Sequence, residues 1–506
     1  MSKLKEWFSK YWILILIVVA AFVLRLPHLN GSLWLDEAAQ ALQSARPFSQ
    51  QHLIASDFQP PFLHYLLHFM MYFGQSEAWM RLWGAVLPGL LAIIFSYLVA
   101  EKLFGRKVAI LTSVWLAISS FHVFFSQELR PYMWSGAWSA ISSYFLLKVA
   151  IWDKKPNRKN LAGFIIATIL GLHSSYLYPF VFASHLLILL WRKKWHQFGW
   201  SLGLTILGFL PWLPFFLGQL QVGTNLDNYM PGWQAVVSFG PIRAIVMTIA
   251  KFIFGVSDLE IDPYYVTTTL AFAGLWIGAV YFNFKTVVKK SKQSLIPLLI
   301  LLIAPFLTAW IVSFIVPVIQ PKRVIFLMPW FYMLIIIFIA PKLSFAKVKL
   351  QNLVAILLTI LILIINIFSY YEYMTNPLMQ RENWRALYHE VYYRENIYDT
   401  VILSSYLEPF SPWRWYDKHN DGFVIPSIVT QTFHIPTSTT WQENISEVTN
   451  FGTILVFDYL KDLTDPERQL NAHLLELGYV EVDYYDYPNI GFVRVFRRQA
   501  EPLYLD

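Results

Sequence analysis

The chain has 506 residues, 56% of them hydrophobic and 14% charged, with a mean hydropathy of +0.46. A soluble protein of this length neither exposes nor buries so much apolar surface, so the composition excludes soluble globular classes and points to a polytopic membrane protein. The net charge of +7 does not imply nucleic acid, because Lys and Arg cluster between apolar runs as topology signals. The lack of cysteine excludes a disulfide framework, a thiol nucleophile and a Cys-based metal site.

In chain order, Lys3, Lys5 and Lys10 precede an apolar run over 11–27. No small-residue cleavage site follows, so this run is expected to stay as a first span with a cytoplasmic N-terminus. Residues 28–80 form a long first external loop. It holds a predicted helix at 36–45, a turn at Asp57-Phe58-Gln59-Pro60-Pro61, and an apolar helix at 62–73 of the kind that lies along a membrane surface. Spans are then predicted at 82–100, 108–124, 132–151, 161–172 (short for a span), 177–191, 198–217, 264–282, 295–317, 324–340 and 351–370. That makes about eleven. A second long external loop covers 218–263. The inner loops are basic throughout, including Lys285, Lys289, Lys290 and Lys292.

After residue 370 the sequence becomes polar and aromatic. Strand-like runs at Thr400–Ser404, Gly452–Phe457 and Gly491–Phe496 alternate with helical stretches at 382–394 and 465–477. The expected architecture is a transmembrane domain over 1–370 and an extracytoplasmic α/β domain over 371–506. Asn444-Ile445-Ser446 has the form of a glycosylation sequon, a short pattern that often arises by chance.

The ionisable residues outside the inner loops gather on the outer side. They include Arg25, Asp36, Glu37, Arg46, Asp57, Arg81, Glu128, Arg130, Arg243, Lys322 and Arg323, with His28, His52, His64, His68, His122 and His173. Asp36 and Glu37 follow the first apolar run directly. At a membrane boundary a carboxylate can be partly desolvated, which suits a general base; the same pair also suits the first turn of a helix. Cations kept on the outer side have no topological role, and Arg81, Arg130, Lys322 and Arg323 fit an anionic ligand such as a phosphate. Alternatively, Arg81 and Arg130 pair with Glu77 and Glu128 or snorkel. His64 and His68 sit one turn apart and permit a divalent metal, but the sequence places no third ligand, which favours interfacial histidines facing lipid headgroups.

These residues, in this order, resemble the GT-C glycosyltransferases. The pattern runs Leu35-Asp36-Glu37-Ala38, Pro60-Pro61 opening an apolar helix, Arg81-Leu82, Gln127-Glu128-Leu129-Arg130-Pro131-Tyr132, and Pro321-Lys322-Arg323 before a Pro329-containing span. It is most similar to the dolichyl-phosphate-mannose protein mannosyltransferase-like group, which includes the aminoarabinose transferases of lipid A. Glu382-Asn383-Trp384-Arg385 also looks like the start of the outer domain of bacterial members.

The resemblance implies a polyprenyl-phosphate sugar donor, a lipid, glycan or protein acceptor, and inverting transfer on the outer face. Asp36 would be the base and Glu37 its neighbour. Arg81, Gln127, Glu128, Arg130, Tyr132, His173, Lys322 and Arg323 would contact the donor phosphate or sugar, Arg323 and Lys322 foremost for the phosphate. The chain departs from the pattern in two places. Gln59 stands where relatives have His or Lys, and Pro131-Tyr132 stands where some carry a second acid, leaving Glu128 as the available substitute.

A secondary transporter or flippase of envelope lipids is the rival reading, but no two related halves are evident. An envelope scaffold would explain the outer domain and not the acid–arginine constellation. The Lys/Arg pattern makes a direct prediction. Cysteines introduced as Ser2→Cys and Ser446→Cys should label from opposite sides of the membrane with an impermeant reagent. Labelling from one side would mean the span count is wrong by an odd number.

Overall fold

The computed structural model describes residues 2–52, 59–155, 157–224, 240–256, 263–316, 318–341, 343, 349–404, 411–417, 434 and 441–499. Asp57 and Phe58 of the predicted turn lie outside them. Helices dominate the first three-quarters of the chain, because backbone in hydrocarbon must satisfy its own polar groups. Among the described residues, five helices are long and apolar enough to cross a membrane: Glu77–Phe104, Trp195–Gln221, Pro263–Lys289, Ser291–Val312 and Leu350–Thr375.

All eleven apolar runs fall on helices, several of them shorter or interrupted. The run 108–124 breaks at Ser119 (φ −60°, ψ 117°) into Arg106–Ile118 and Ser120–Phe125. The basic inner loop expected around Lys285–Lys292 is instead a kink. Helical geometry runs from Pro263 to Val312 and fails at Ser291 (φ −125°, ψ 17°). Lysines projecting from a helix reach water without a loop, so their clustering did not require one.

The N-terminal helix α1 spans Ser2–Val23 and is followed by α2 (Leu35–Ala45) and α3 (Phe62–Met71). The helix α3 does not lie free along a membrane surface. Its buried stripe, Leu63, His64, Leu67, His68 and Met71, has the i, i+4 spacing of one helix face, and Leu63, Leu67 and Met71 share an apolar cluster with Ala38, Ala41 and Ala45 of α2. Within the predicted second loop, the helix Pro241–Phe254 packs on the last long helix, Leu350–Thr375.

The C-terminal part is a four-stranded mixed sheet of order β1-β2-β4-β3. Its strands are β1 (Thr400–Ser404), β2 (Thr453–Phe457), β3 (Tyr479–Tyr487) and β4 (Gly491–Arg498). β1 and β2 are parallel and the other pairs antiparallel. β3 was not anticipated, because Glu481, Asp483 and Asp486 interrupt its apolar pattern. It is a largely exposed edge strand, where charge deters pairing with another chain. Asn444 is buried on the helix Trp441–Val448, which argues against its use as a glycan acceptor.

The sheet domain does not have a core of its own on both sides. Ile402, Leu455, Phe457, Val493 and Val495 pack with Trp384 and Trp413, and the same cluster takes in Leu35 from α2. Trp415 joins Leu33, Ala38 and Leu63 in the neighbouring cluster. The sheet domain and the segment 28–80 therefore share buried apolar surface.

Candidate active site

Glu37 sits in the first turn of α2 and is completely enclosed. Oε1 accepts from Arg81 Nε at 2.9 Å and from the Leu129 backbone N–H at 2.7 Å; Oε2 accepts from Arg81 Nη2 at 2.5 Å. Arg381 Nε lies 3.5 Å from Oε2. Burial alone would raise the Glu37 pKa, but Arg81, Arg381 and these hydrogen bonds hold it below the usual carboxylate value. Gly84 makes the Leu129 contact reachable, since a Cβ there would stand 2.5 Å from a Leu129 methyl. It lies in a π turn, Leu82–Val86, directly after Arg81.

Arg81 is equally enclosed, and its donors are consumed by the protein. Nη1 donates to Leu29 O at 2.9 Å and Gly31 O at 2.5 Å, Nη2 also to Ser32 O at 2.9 Å, and the rest go to Glu37. The expectation that Arg81 contacts a donor phosphate is therefore corrected: its guanidinium has no donor left for a ligand. Its partner is Glu37, not Glu77, which pairs instead with Arg385 at 3.1 Å.

Asp36, one residue earlier, has the opposite surroundings. Its side chain is 34% exposed, and its carboxylate lies 3.9 Å from Arg130 Nε, beyond hydrogen-bond reach. Arg130 Nη1 donates to the Asp36 backbone oxygen at 3.1 Å, and with its amide turned to suit, Gln59 Oε1 accepts from Arg130 Nε at 2.9 Å and from Nη2. Gln59, noted as a departure from the pattern, thus steadies Arg130. Arg130 pairs with Asp36 and not with Glu128.

Glu128 is 2% exposed, and its Oε1 has no hydrogen-bond partner within the protein. Burial pushes its pKa up to about 7; Lys322 and Arg381 oppose this, while Glu37 and Asp36 add to it. The Lys322 ammonium lies 5.6 Å from the centre of the Tyr132 ring. Tyr132 raises the Lys322 pKa against burial, and Glu128 and Asp36 act in the same direction. Lys322 and Arg323 occupy the turn before Ile325–Leu327, where the chain re-enters the helix Met328–Ile339.

The other anticipated residues stand apart from this cluster. Gln127 is fully buried and braces the backbone, donating to Arg25 O at 2.9 Å and Pro27 O at 2.5 Å and accepting from the Tyr373 hydroxyl at 2.7 Å. His173 is bonded through Nδ1 to Ile169 O at 2.9 Å and packs on Phe209. His64 Nδ1 meets Gln40 Nε2 at 2.8 Å, and His68 Nδ1 meets Ser44 O at 3.0 Å. Both histidines are buried against α2 and do not face headgroups; the apolar stripe of α3 carries them inward. Among the described residues, no three His, Asp or Glu side chains group as metal ligands.

Two contributors were not read from the sequence. Arg381, in the linker after the last long helix, faces Glu37. It carried the same signal as Lys322, a cation at the outer end of a span with no topological role. Glu382, beside it, accepts from Trp384 Nε1 at 2.6 Å and the Tyr459 hydroxyl at 2.8 Å, and the Leu35 N–H and the Asp36 charge both act on it. Burial pushes its pKa up to about 7.

Breaking one side of a buried ion pair strands the other charge, which typically costs about 3–5 kcal/mol. Arg81→Gln should therefore lower unfolding stability in detergent by that order, and Arg130→Gln by clearly less. Equal losses would mean that Arg81 and Glu37 are solvated. Glu128 gives a pH prediction. The unfolded chain releases its proton near 4.5 and the folded chain near 7, so folded stability falls as pH rises through this window. Glu128→Gln should remove that component, gaining on the parent between pH 5 and pH 7 in thermal melts; a constant difference would show that Glu128 is ionised throughout.

Residues 58–217 match the family model described as dolichyl-phosphate-mannose-protein mannosyltransferase. A search of curated proteins finds no match. Among solved structures the chain is similar to ArnT from Cupriavidus metallidurans in the apo state (TM-score 0.57, 11% identity, 98% of each chain covered). It is also similar to the same protein bound to undecaprenyl phosphate (TM-score 0.53, 11% identity, 97% of this chain and 98% of that one). The apo oligosaccharyltransferase of Archaeoglobus fulgidus matches with a TM-score of 0.51 at 13% identity, over 98% of this chain and 76% of that one. At these identities the likeness is one of fold. Residues 58–217 thus resemble the mannosyltransferase family model, and the chain as a whole shares the membrane fold of ArnT and the archaeal oligosaccharyltransferase.

Proposed function

We propose that the protein transfers a monosaccharide from a polyprenyl-phosphate donor to an acceptor hydroxyl of a lipid, glycan or protein, with inversion at the anomeric carbon. The N-terminus is placed in the cytoplasm and residues 371–506 on the outer side, following the Lys/Arg pattern of the loops. The observation that carries the reading is the unequal fate of two adjacent carboxylates: that of Glu37 is sealed and fully bonded, while that of Asp36 is partly exposed and has no hydrogen bond among the described residues. A residue fixed by its helix but with its carboxylate free is suited to accept a proton from an incoming hydroxyl.

In this reaction the acceptor oxygen attacks the anomeric carbon on the face opposite the phosphate. Its proton passes to Asp36. The bond from the anomeric carbon to the phosphate oxygen breaks, and its electron pair stays on that oxygen. Lys322, Arg323 and Arg130 stabilise the charge that gathers there, Tyr132 packs its ring against the Lys322 ammonium, and Glu128 faces the sugar. Glu37 and Arg81 position α2 and touch no substrate. The undecaprenyl phosphate bound by ArnT, whose fold this chain shares, supports a lipid-phosphate donor.

A positioned carboxylate base typically contributes about 100- to 10,000-fold. Asp36→Asn should lower single-turnover transfer from a labelled polyprenyl-phosphate sugar by that range, with expression and donor binding kept. Had Asp36 served only the first turn of α2, Asn would cost no more than a helix-dipole contribution of about 0.3–1 kcal/mol and leave transfer near the parental rate. A near-parental rate would remove the assignment.

A further inference from the structure

Arg381 and Arg81 flank the same carboxylate, and their bonding differs sharply. Arg81 donates to oxygens at 2.5–2.9 Å throughout. The Arg381 side chain is 8% exposed, yet its contacts are long: Nη1 to the Tyr373 hydroxyl at 3.5 Å, Nη2 to Phe124 O at 3.4 Å, and Nε to Glu37 Oε2 at 3.5 Å. Its Nε is buried and makes no hydrogen bond within the protein. The guanidinium lies 5.0 Å from the centre of the Phe124 ring, which holds its plane without engaging its donors. Buried guanidinium donors are ordinarily filled, so an under-bonded one marks a place for an acceptor.

The charge around it points to the class of acceptor. Both Glu37 oxygens are already taken by Arg81, so one carboxylate faces two guanidiniums. Arg81, Arg130, Lys322 and Arg381 face Asp36, Glu37, Glu128 and Glu382, and burial shifts the last two toward their neutral forms, which leaves the cations in excess. A cation-rich, partly enclosed cluster with an idle planar fork matches a phosphate, which accepts from a guanidinium at two oxygens.

We infer that Arg381, supplied by the linker into the sheet domain, is an anion-binding residue of this site and takes the phosphate of the lipid-linked donor. The inference rests on the lipid-phosphate reading above. It makes the linker part of the binding site, so that the last span and the sheet domain enclose the donor headgroup together with the turn at Lys322.

The test uses the full chain in nanodiscs with three probes: a polyprenyl monophosphate, the polyprenol of the same length, and inorganic phosphate. The parent should prefer the lipid phosphate to the alcohol. Arg381→Gln should lose about 10- to 100-fold of the lipid-phosphate affinity, with polyprenol binding unchanged. Arg381→Lys, which keeps the charge and loses the fork, should lose less, and it decides the matter should the Gln variant fail to fold. Parental lipid-phosphate affinity in both variants overturns the role of Arg381 alone. Equal losses for phosphate and alcohol also overturn it, since that pattern means Arg381 merely supports Glu37. Arg381-dependent binding of inorganic phosphate as tight as that of the lipid overturns the lipid source. A parent that does not distinguish the lipid phosphate from the alcohol overturns the donor reading and this inference with it.

Discussion

The buried pair of Glu37 and Arg81 is the constraint on which the candidate site of this protein depends. Desolvating two charges is costly, and their attraction offsets that cost only when the remaining donors and acceptors are filled. Here they are filled, by Leu29, Gly31 and Ser32 on one side and by the Leu129 N–H on the other. The pair thereby joins three segments distant in sequence: the stretch from the exit of the first helix into the first turn of α2, the short helix Glu77–Arg81, and the strip between Phe125 and Tyr132. Such a pair does less for net stability than for uniqueness, because any other register of α2 would leave a charge stranded.

The sheet domain acts on the same few residues from above. The Tyr416 hydroxyl accepts from the Leu33 N–H at 2.7 Å and donates to Glu77 at 3.1 Å. Arg385 donates to Asn30 O at 2.9 Å, and its own N–H donates to Ser32 Oγ at 3.1 Å. Trp384 and Leu35 lie in one apolar cluster. The first turn of α2, which bears Asp36, is consequently held between the helices and the sheet, and a shift of one is transmitted to the other through packed contacts. This gives the C-terminal domain a physical part in shaping the site, whatever else it binds.

Electrostatically the cluster is sorted by accessibility. Its fully buried members, Glu37 and Arg81, neutralise each other. Nearer solvent, Asp36 lies beside Arg130 and Lys322 beside Tyr132. Glu128 lies between these groups, shifted toward its neutral form by burial. Neighbouring acids held in different protonation tendencies by their surroundings are a familiar arrangement in sites that move protons.

Composition and hydropathy alone determined that the chain is a multi-pass helical protein, because length in hydrocarbon and the need for internal hydrogen bonds leave few alternatives. The order of Asp36-Glu37, Arg81, Glu128, Arg130 and Lys322-Arg323 was legible as a candidate constellation, and three of the four strands were legible from their apolar runs. Tertiary structure decided which member does what. Adjacent residues on a helix point about 100° apart, so Glu37 turns into the protein and Asp36 toward the open side, and no pattern in the letters Asp-Glu states which is which. Arg81 and Arg381 read alike in sequence, yet one is filled by three backbone carbonyls and a carboxylate and the other is not. Those differences arise from contacts between residues 44 to 344 positions apart, which local periodicity does not encode.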